Sequence, residues 1–232
     1  MRKSLVMAEN FYADLDAVRR YALGATWYAP YGDAGAGREP AWKSTMFRPA
    51  EQCPFKSSSA LIDRLEELTG DTIDLDDWKA DFPTDARGCA DLPPHGTAAG
   101  TLWNCAFHFK PEWNRQVVGE GVHNHVTDVW NGVGPDGWAG IVYLDPAPPV
   151  DGGLRLWRNH DRAHDLDWMT PKENWQLIDT LGNVPNRLLL HRGNLPHSGS
   201  AGWGVTAATG RLYQTFFFKV VAPSHPDSLA IV

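Results

Sequence analysis

From about residue 101 onward the chain is a succession of short aliphatic and aromatic runs cut by turn residues. Leu102 to Phe109 is one such run. Trp138-Ala139-Gly140-Ile141-Val142-Tyr143-Leu144 is another, bounded by Gly137 and Pro146. Gly152-Gly153 introduces Leu154-Arg155-Leu156-Trp157. Arg187-Leu188-Leu189-Leu190-His191 runs into the turn Arg192-Gly193-Asn194, and Arg211 to Val221 is the longest. These runs, separated by turn signals, are rich in the residue types that fit a pleated, half-buried surface, so they predict an all-β sandwich or barrel. One helix is expected to interrupt it. Thr170-Pro171-Lys172-Glu173 has the form of a capping box with proline at the first helical position, and Gly182 would close the element.

The first hundred residues read differently. Leu15, Val18 and Ala22 fall on one face of a short helix ended by Gly24. Ser58 is placed to cap a second helix, with Leu61, Leu65 and Leu68 at helical spacing and Gly70 as its stop. Residues 30–40 and 83–100 are loop-like in their glycine and proline content. No linker or repeat divides the 232 residues. The expectation is one domain over 1–232, with a helical part at about 1–100 packed on a β core at about 101–221.

Composition narrows the function classes. Hydrophobic residues at 43% and charged residues at 21% describe a folded chain. A formal charge of −7 without a basic stripe argues against a nucleic-acid partner. No apolar run approaches the roughly 20 residues a membrane span needs. The three cysteines, Cys53, Cys89 and Cys105, are widely spaced and read as reduced thiols, so the expected location is cytoplasmic. The eleven tryptophans mostly read as core, with Trp130 and Trp138 as candidates for a pocket wall.

The chemistry concentrates in two stretches. His123-Asn124-His125 is followed by Asp128. Leu195-Pro196-His197 is followed by Gly210-Arg211-Leu212-Tyr213. In an extended chain residues i and i+2 leave the same face, so His123 and His125 can grip one ion while a barrel returns His197 to them. Imidazole suits iron, copper, zinc and nickel. His95, His108 and His225 read as surface or satisfied core groups, and His160 and His164 sit in a charged, solvated loop. Arg211 shares a strand face with Tyr213, Thr215 and Phe217. An inward arginine needs an anionic partner, and its planar fork matches a carboxylate.

These residues resemble the iron(II)- and 2-oxoglutarate-dependent oxygenases, in their prolyl-hydroxylase-like branch. The resemblance covers roughly residues 101–221 and is clearest in Trp138 to Leu144, Gly152 to Trp157, Leu195-Pro196-His197 and Gly210 to Phe217; Asn10-Phe11-Tyr12 is similar to the opening of such proteins. It implies a double-stranded β-helix (jelly roll), iron(II) as the metal, 2-oxoglutarate and O2 as cosubstrates, and hydroxylation of a small molecule or peptide side chain. His197 would match the distal iron ligand. Arg211 would match the arginine holding the far carboxylate of 2-oxoglutarate, and Tyr143 the tyrosine beside it. The proximal pair departs from the family's usual His-x-Asp. Either His125 replaces the carboxylate, giving His123, His125 and His197, or the pair is His125 with Asp128. Strand alternation, and the β-branched Val126 and Thr127, favour the first. Two other readings stand beside this one. A cupin-type metal enzyme also uses a His-x-His pair but has no need of Arg211. A metal-binding jelly-roll module would lack oxygenase activity.

Overall fold

The structure is a computed structural model. It describes residues 3–25, 27–28, 43–45, 53–79, 103–112, 121–127, 132–159 and 174–221. The elements run β1 (Leu5–Ala8), α1 (Leu15–Leu23), β2 (Trp27–Tyr28), β3 (Lys43–Thr45), α2 (Ser59–Thr69), α3 (Leu75–Lys79), β4 (Phe107–Lys110), β5 (Trp138–Tyr143), β6 (Leu154–Asn159), β7 (Trp175–Leu181), β8 (Leu188–Arg192), β9 (His197–Gly199) and β10 (Arg211–Phe218). The architecture is mainly β, with antiparallel pairing throughout. One sheet has the order β1-β8-β5-β10-β4-β3-β2, the other β7-β6-β9.

Alternation along the strands of the large sheet sends two sets of side chains in opposite directions. Trp138, Val142, Leu188, Leu190, Leu212, Phe216 and Phe218 enter a core shared with Val18 and Ala22 of α1, Leu61 and Leu65 of α2, and Trp78 of α3. Each buried leucine or phenylalanine there contributes roughly 1.5–3 kcal/mol. Ile141, Tyr143, Leu189 and Tyr213 face the other way and meet Leu154 and Leu156 of the small sheet. The helices therefore close one face of the large sheet, and the small sheet covers the other.

The two N-terminal helices form where their caps predict. Asp14 caps α1 by accepting from Ala17 N, and Ser58 caps α2 by accepting from Leu61 N. Gly70 ends α2 at φ 77°, a left-handed conformation that glycine adopts without strain. Two expectations are corrected. The first hundred residues are not only helical, because β1, β2 and β3 join the large sheet, β1 along the whole of β8 from Leu5↔His191 to Ala8↔Leu188. The helix expected up to Gly182 is instead β7, paired with β6 from Leu154↔Leu181 to Asn159↔Trp175. Ladder hydrogen bonds along a whole neighbouring strand outweigh a local capping signal. The capping residues 170–173 themselves lie outside the described residues.

Trp138 is wholly buried on the helix-covered face, with its Nε1 donating to Asp71 at 2.8 Å and the Arg192 guanidinium 3.9 Å above its ring. It is a core residue and not a pocket wall; Trp130 is outside the described residues. Cys53 and Cys105 are free thiols, and Cys89 is not described. Among the described residues no helix is long and apolar enough to cross a membrane.

Candidate metal centre and anion pocket

The space between the sheets has two chemically different ends. Cross-strand register fixes them. Ala139 lies opposite both His191 and Phe217, which defines one end. Tyr143 lies opposite Tyr213, Tyr213 opposite His108, and Arg211 opposite Lys110, which defines the other.

Three histidines converge on the first end. His123 and His197 form an antiparallel bridge, each backbone N donating to the other's carbonyl at 3.0 Å. The segment carrying His123 thus adds alongside β9. Such a pair holds its Cα atoms about 5.5 Å apart, so two side chains on one face meet. The ring centroids are 4.3 Å apart for His123 and His197, 4.9 Å for His123 and His125, and 5.0 Å for His125 and His197. One ligand atom from each lies within 4.8 Å of the others. Three donors bound at about 2.1 Å to one ion lie about 3–3.6 Å apart. Closure onto one ion therefore needs each ring to shift by up to about 1 Å.

The donor chemistry fits a metal. His123 Nδ1 lies 2.8 Å from Gly121 O, and His197 Nδ1 lies 3.0 Å from Leu195 O. A carbonyl only accepts, so in both rings the proton sits on Nδ1 and the Nε2 lone pair is left for an ion. Burial, then the neighbouring His191, His123 and His125, hold His197 well below the ordinary imidazole range, so it is neutral as a ligand must be.

A fourth histidine, absent from the sequence-based set, stands beside them. His191 ends the inner face of β8, with its ring 4.0 Å from that of His197 and its Nδ1 3.0 Å from Arg192 O. Burial lowers it to about 3. Its alternation with the inward Leu189 was the available signal.

The chain does not stay extended beyond His125. It bends over 125–127, where Asn124 Oδ1 accepts from Val126 N at 3.1 Å. This local side-chain bond overrides the extended preference of Val126 and Thr127. The turn that a His125 and Asp128 pair would require begins here, so continued extension does not separate the two ligand sets. Asp128 itself lies outside the described residues, as do His160 and His164.

The other end is cationic. Arg211 is only 2% exposed. Its Nη1 donates to Ser200 O at 3.1 Å and its Nη2 to Gly153 O at 3.2 Å, while Nε has no partner. No carboxylate among the described residues pairs with it. The Tyr143 hydroxyl is buried beside this guanidinium and interacts with it. Burial raises it to about 12, against the lowering effect of Arg211. Lys110, which the sequence did not single out, shares the end. His108 is buried, stacked on Tyr213, with its Nε2 bonded to Thr215 Oγ1 at 2.7 Å. Gly199 packs on the guanidinium, and a Cβ there would lie 3.1 Å from Nη1. Gly199 and His197 are two residues apart on β9, so the two ends are separated by roughly 7 Å.

No family model matches the chain, and no curated protein matches its sequence. Among solved structures, it is similar to a prolyl hydroxylase from Trichoplax adhaerens, determined in complex with a peptide fragment of the hypoxia inducible factor oxygen degradation domain. Identity is 14% and the TM-score 0.43, over 93% of this chain and 83% of that one. A likeness at this distance assigns no function.

Proposed function

We propose that the protein is an iron(II)- and 2-oxoglutarate-dependent oxygenase with a jelly-roll core, acting as a hydroxylase on a small molecule or a peptide side chain. One observation carries the reading. Three converging imidazoles, two of them oriented by backbone carbonyls, and a buried guanidinium with no acidic partner among the described residues stand about two strand residues, or roughly 7 Å, apart on one interior space. That is the length of a short dicarboxylate. A buried, unpaired cation is costly unless an anion completes it.

In this reading His123, His125 and His197 hold the metal, with Asp128 as the alternative third ligand beside His125 and His197. Arg211 takes the far carboxylate in a forked, charge-assisted pair. Tyr143, protonated at neutral pH, donates its hydroxyl to the same carboxylate. Iron(II) bound here would supply oxygen activation coupled to the oxidative decarboxylation of 2-oxoglutarate. The chain's own part is orientation and exclusion of water. Phe217 packs edge-on against His125, and Ile141 and Leu189 separate the two ends with apolar surface.

Anaerobic addition of iron(II) and 2-oxoglutarate tests this. The expected result is a visible metal-to-ligand charge-transfer band that requires both additions and is followed, on admission of oxygen, by succinate. Iron binding without such a band would favour the cupin-type or metal-binding reading, which the all-imidazole set also suits.

A further inference from the structure

Lys110 has no role in the function just proposed, yet it occupies an expensive position. It is 5% exposed and stands directly opposite Arg211 in the β4–β10 register, on the same face. Its Nζ donates to Ser200 O at 2.9 Å, the same oxygen that accepts from Arg211 Nη1 at 3.1 Å. Two cationic groups thus converge on a single carbonyl. Among the described residues neither has a carboxylate partner. Among the described residues the other charged group that acts on Lys110 is Arg155, also positive. Tyr143 and His108, from the neighbouring positions of β5 and β4, are held neutral by burial, at about 12 and about 3, and Tyr213 is the other titratable group on that face.

Among the described residues no carboxylate offsets the repulsion between the buried ammonium and the guanidinium. An apolar residue of the same length would satisfy the packing without the desolvation cost. The arrangement is favourable only once an anion lies between the two groups. We propose that Lys110 is a second anion-binding residue, closing together with Arg211 on the distal carboxylate of a 2-oxo dicarboxylate. This rests on the oxygenase reading of Arg211 and deepens it. The pocket would recognise that carboxylate through two cations instead of one, and reject 2-oxo acids that lack it.

A proton change follows. Burial first, then Arg211 and Arg155, lower Lys110 to about 7. An anion brought into contact favours the charged form. Above neutral pH, binding therefore draws a proton from solvent onto Nζ, and affinity falls as pH rises.

The test is calorimetric titration of 2-oxoglutarate into the manganese(II)-loaded protein at pH 8.5, in two buffers of different ionisation heat. The native protein is expected to take up close to one proton per ligand, with Kd rising up to about tenfold per pH unit above 7. 2-Oxobutyrate, which has the same chelating end and no distal carboxylate, should draw none. Lys110→Met should abolish the uptake, flatten the pH dependence and weaken binding ten- to hundredfold at pH 6.5, by about the strength of one charge-assisted contact. Lys110→Arg should bind tightly at pH 8.5 without proton uptake. Native protein that binds 2-oxoglutarate with no proton uptake overturns the inference without needing any variant. So does a Met variant with native affinity and pH dependence. Either outcome leaves the oxygenase reading standing. Failure of the native, metal-loaded protein to bind 2-oxoglutarate at any pH overturns that reading, and this inference with it.

Discussion

Replacing Arg211 by methionine separates a binding role from a structural one. The guanidinium makes two hydrogen bonds, to Ser200 O and Gly153 O, but neither acceptor depends on it alone. Ser200 O also receives Lys110 Nζ at 2.9 Å, and Gly153 O receives Ser200 N at 3.0 Å. Methionine is unbranched, fills much of the same volume and strands no carbonyl. The two bonds from a charged donor are worth about 1.5–3 kcal/mol each. Against this stands a desolvation penalty of several kcal/mol for a buried cation with no anion, which the substitution removes. The metal-free protein should therefore keep its stability to within about 1–2 kcal/mol in urea unfolding, since these two terms are of similar size. Cosubstrate binding has no such compensation. Loss of a forked carboxylate contact of about 1.5–3 kcal/mol weakens 2-oxoglutarate by about ten- to 150-fold, with iron affinity nearly unchanged. Anaerobic titration of the charge-transfer band measures the first, and iron titration without 2-oxoglutarate the second. Unfolding easier by more than about 3 kcal/mol, with native 2-oxoglutarate affinity, would refute the reasoning and make Arg211 a structural residue.

Three other outcomes are expected. His123→Ala, His125→Ala and His197→Ala should each reduce cobalt(II) or iron(II) affinity by more than about a hundredfold, beyond the 10–100-fold usual for residues outside the ligand set, and Asp128→Ala by less; normal metal binding in His123→Ala with loss in Asp128→Ala would establish His125 and Asp128 as the pair. His108 is neutral in the folded protein, lowered by burial to about 3, whereas the unfolded chain takes up a proton near 6.5. Its contribution is complete above about pH 6.5 and is lost as pH falls toward 3, at up to about 1.4 kcal/mol per pH unit, and urea unfolding of His108→Leu between pH 6 and 4 should show a slope shallower by that amount. Gly199→Ala puts a Cβ 3.1 Å from Arg211 Nη1 and should raise the 2-oxoglutarate requirement severalfold in steady-state assays while metal titration stays native.

Sequence pattern reached furthest where a local rule and the tertiary environment agree. α1 and α2 have side-chain caps at Asp14 and Ser58 and a buried stripe on one face, so period and caps alone locate them. β5, β6 and β8 are apolar runs bounded by turns, and each forms within a residue or two of its expected limits, while β10 starts at Arg211 as expected and ends at Phe218, three residues before Val221. β7 was not legible, because a capping box states what a segment prefers in isolation while β6 offers it a full ladder. β1 was hidden for a related reason. Leu5–Ala8 is too short to signal anything by itself, and its strand character comes entirely from β8. At the candidate site, the i, i+2 spacing of His123 and His125 did carry the information that they share a face, but the bend at Asn124 depends on one side-chain bond. Lys110 was invisible because a lysine at the end of a short aromatic run reads as a solvated strand terminus. Only the register with Arg211 reveals that it points inward.

That register is set on the opposite face of the same strand. β10 directs Arg211, Tyr213, Thr215 and Phe217 between the sheets and Leu212, Gln214, Phe216 and Phe218 toward the helices. A slip of one residue would exchange the two sets completely. Gln214 opposes such a slip more specifically than the apolar residues around it. It is fully buried, its Oε1 accepts from the Tyr12 hydroxyl at 2.5 Å, and its Nε2 donates to Cys105 O at 3.0 Å. Leucines and phenylalanines tolerate exchange among themselves, but a buried amide displaced from both partners would be left unsatisfied at a cost of roughly 1–3 kcal/mol for each group. The N-terminal segment that supplies Tyr12 is anchored in turn by Asn186, which accepts from Tyr12 N at 2.8 Å and donates to Tyr12 O at 2.7 Å. The cationic end of the cavity is thus aligned by polar contacts made on the far side of the sheet. Three of these hydrogen bonds, one from Gln214 and two from Asn186, reach Tyr12, 202 and 174 residues earlier in the chain, so the N-terminal segment takes part in positioning Arg211 without approaching it.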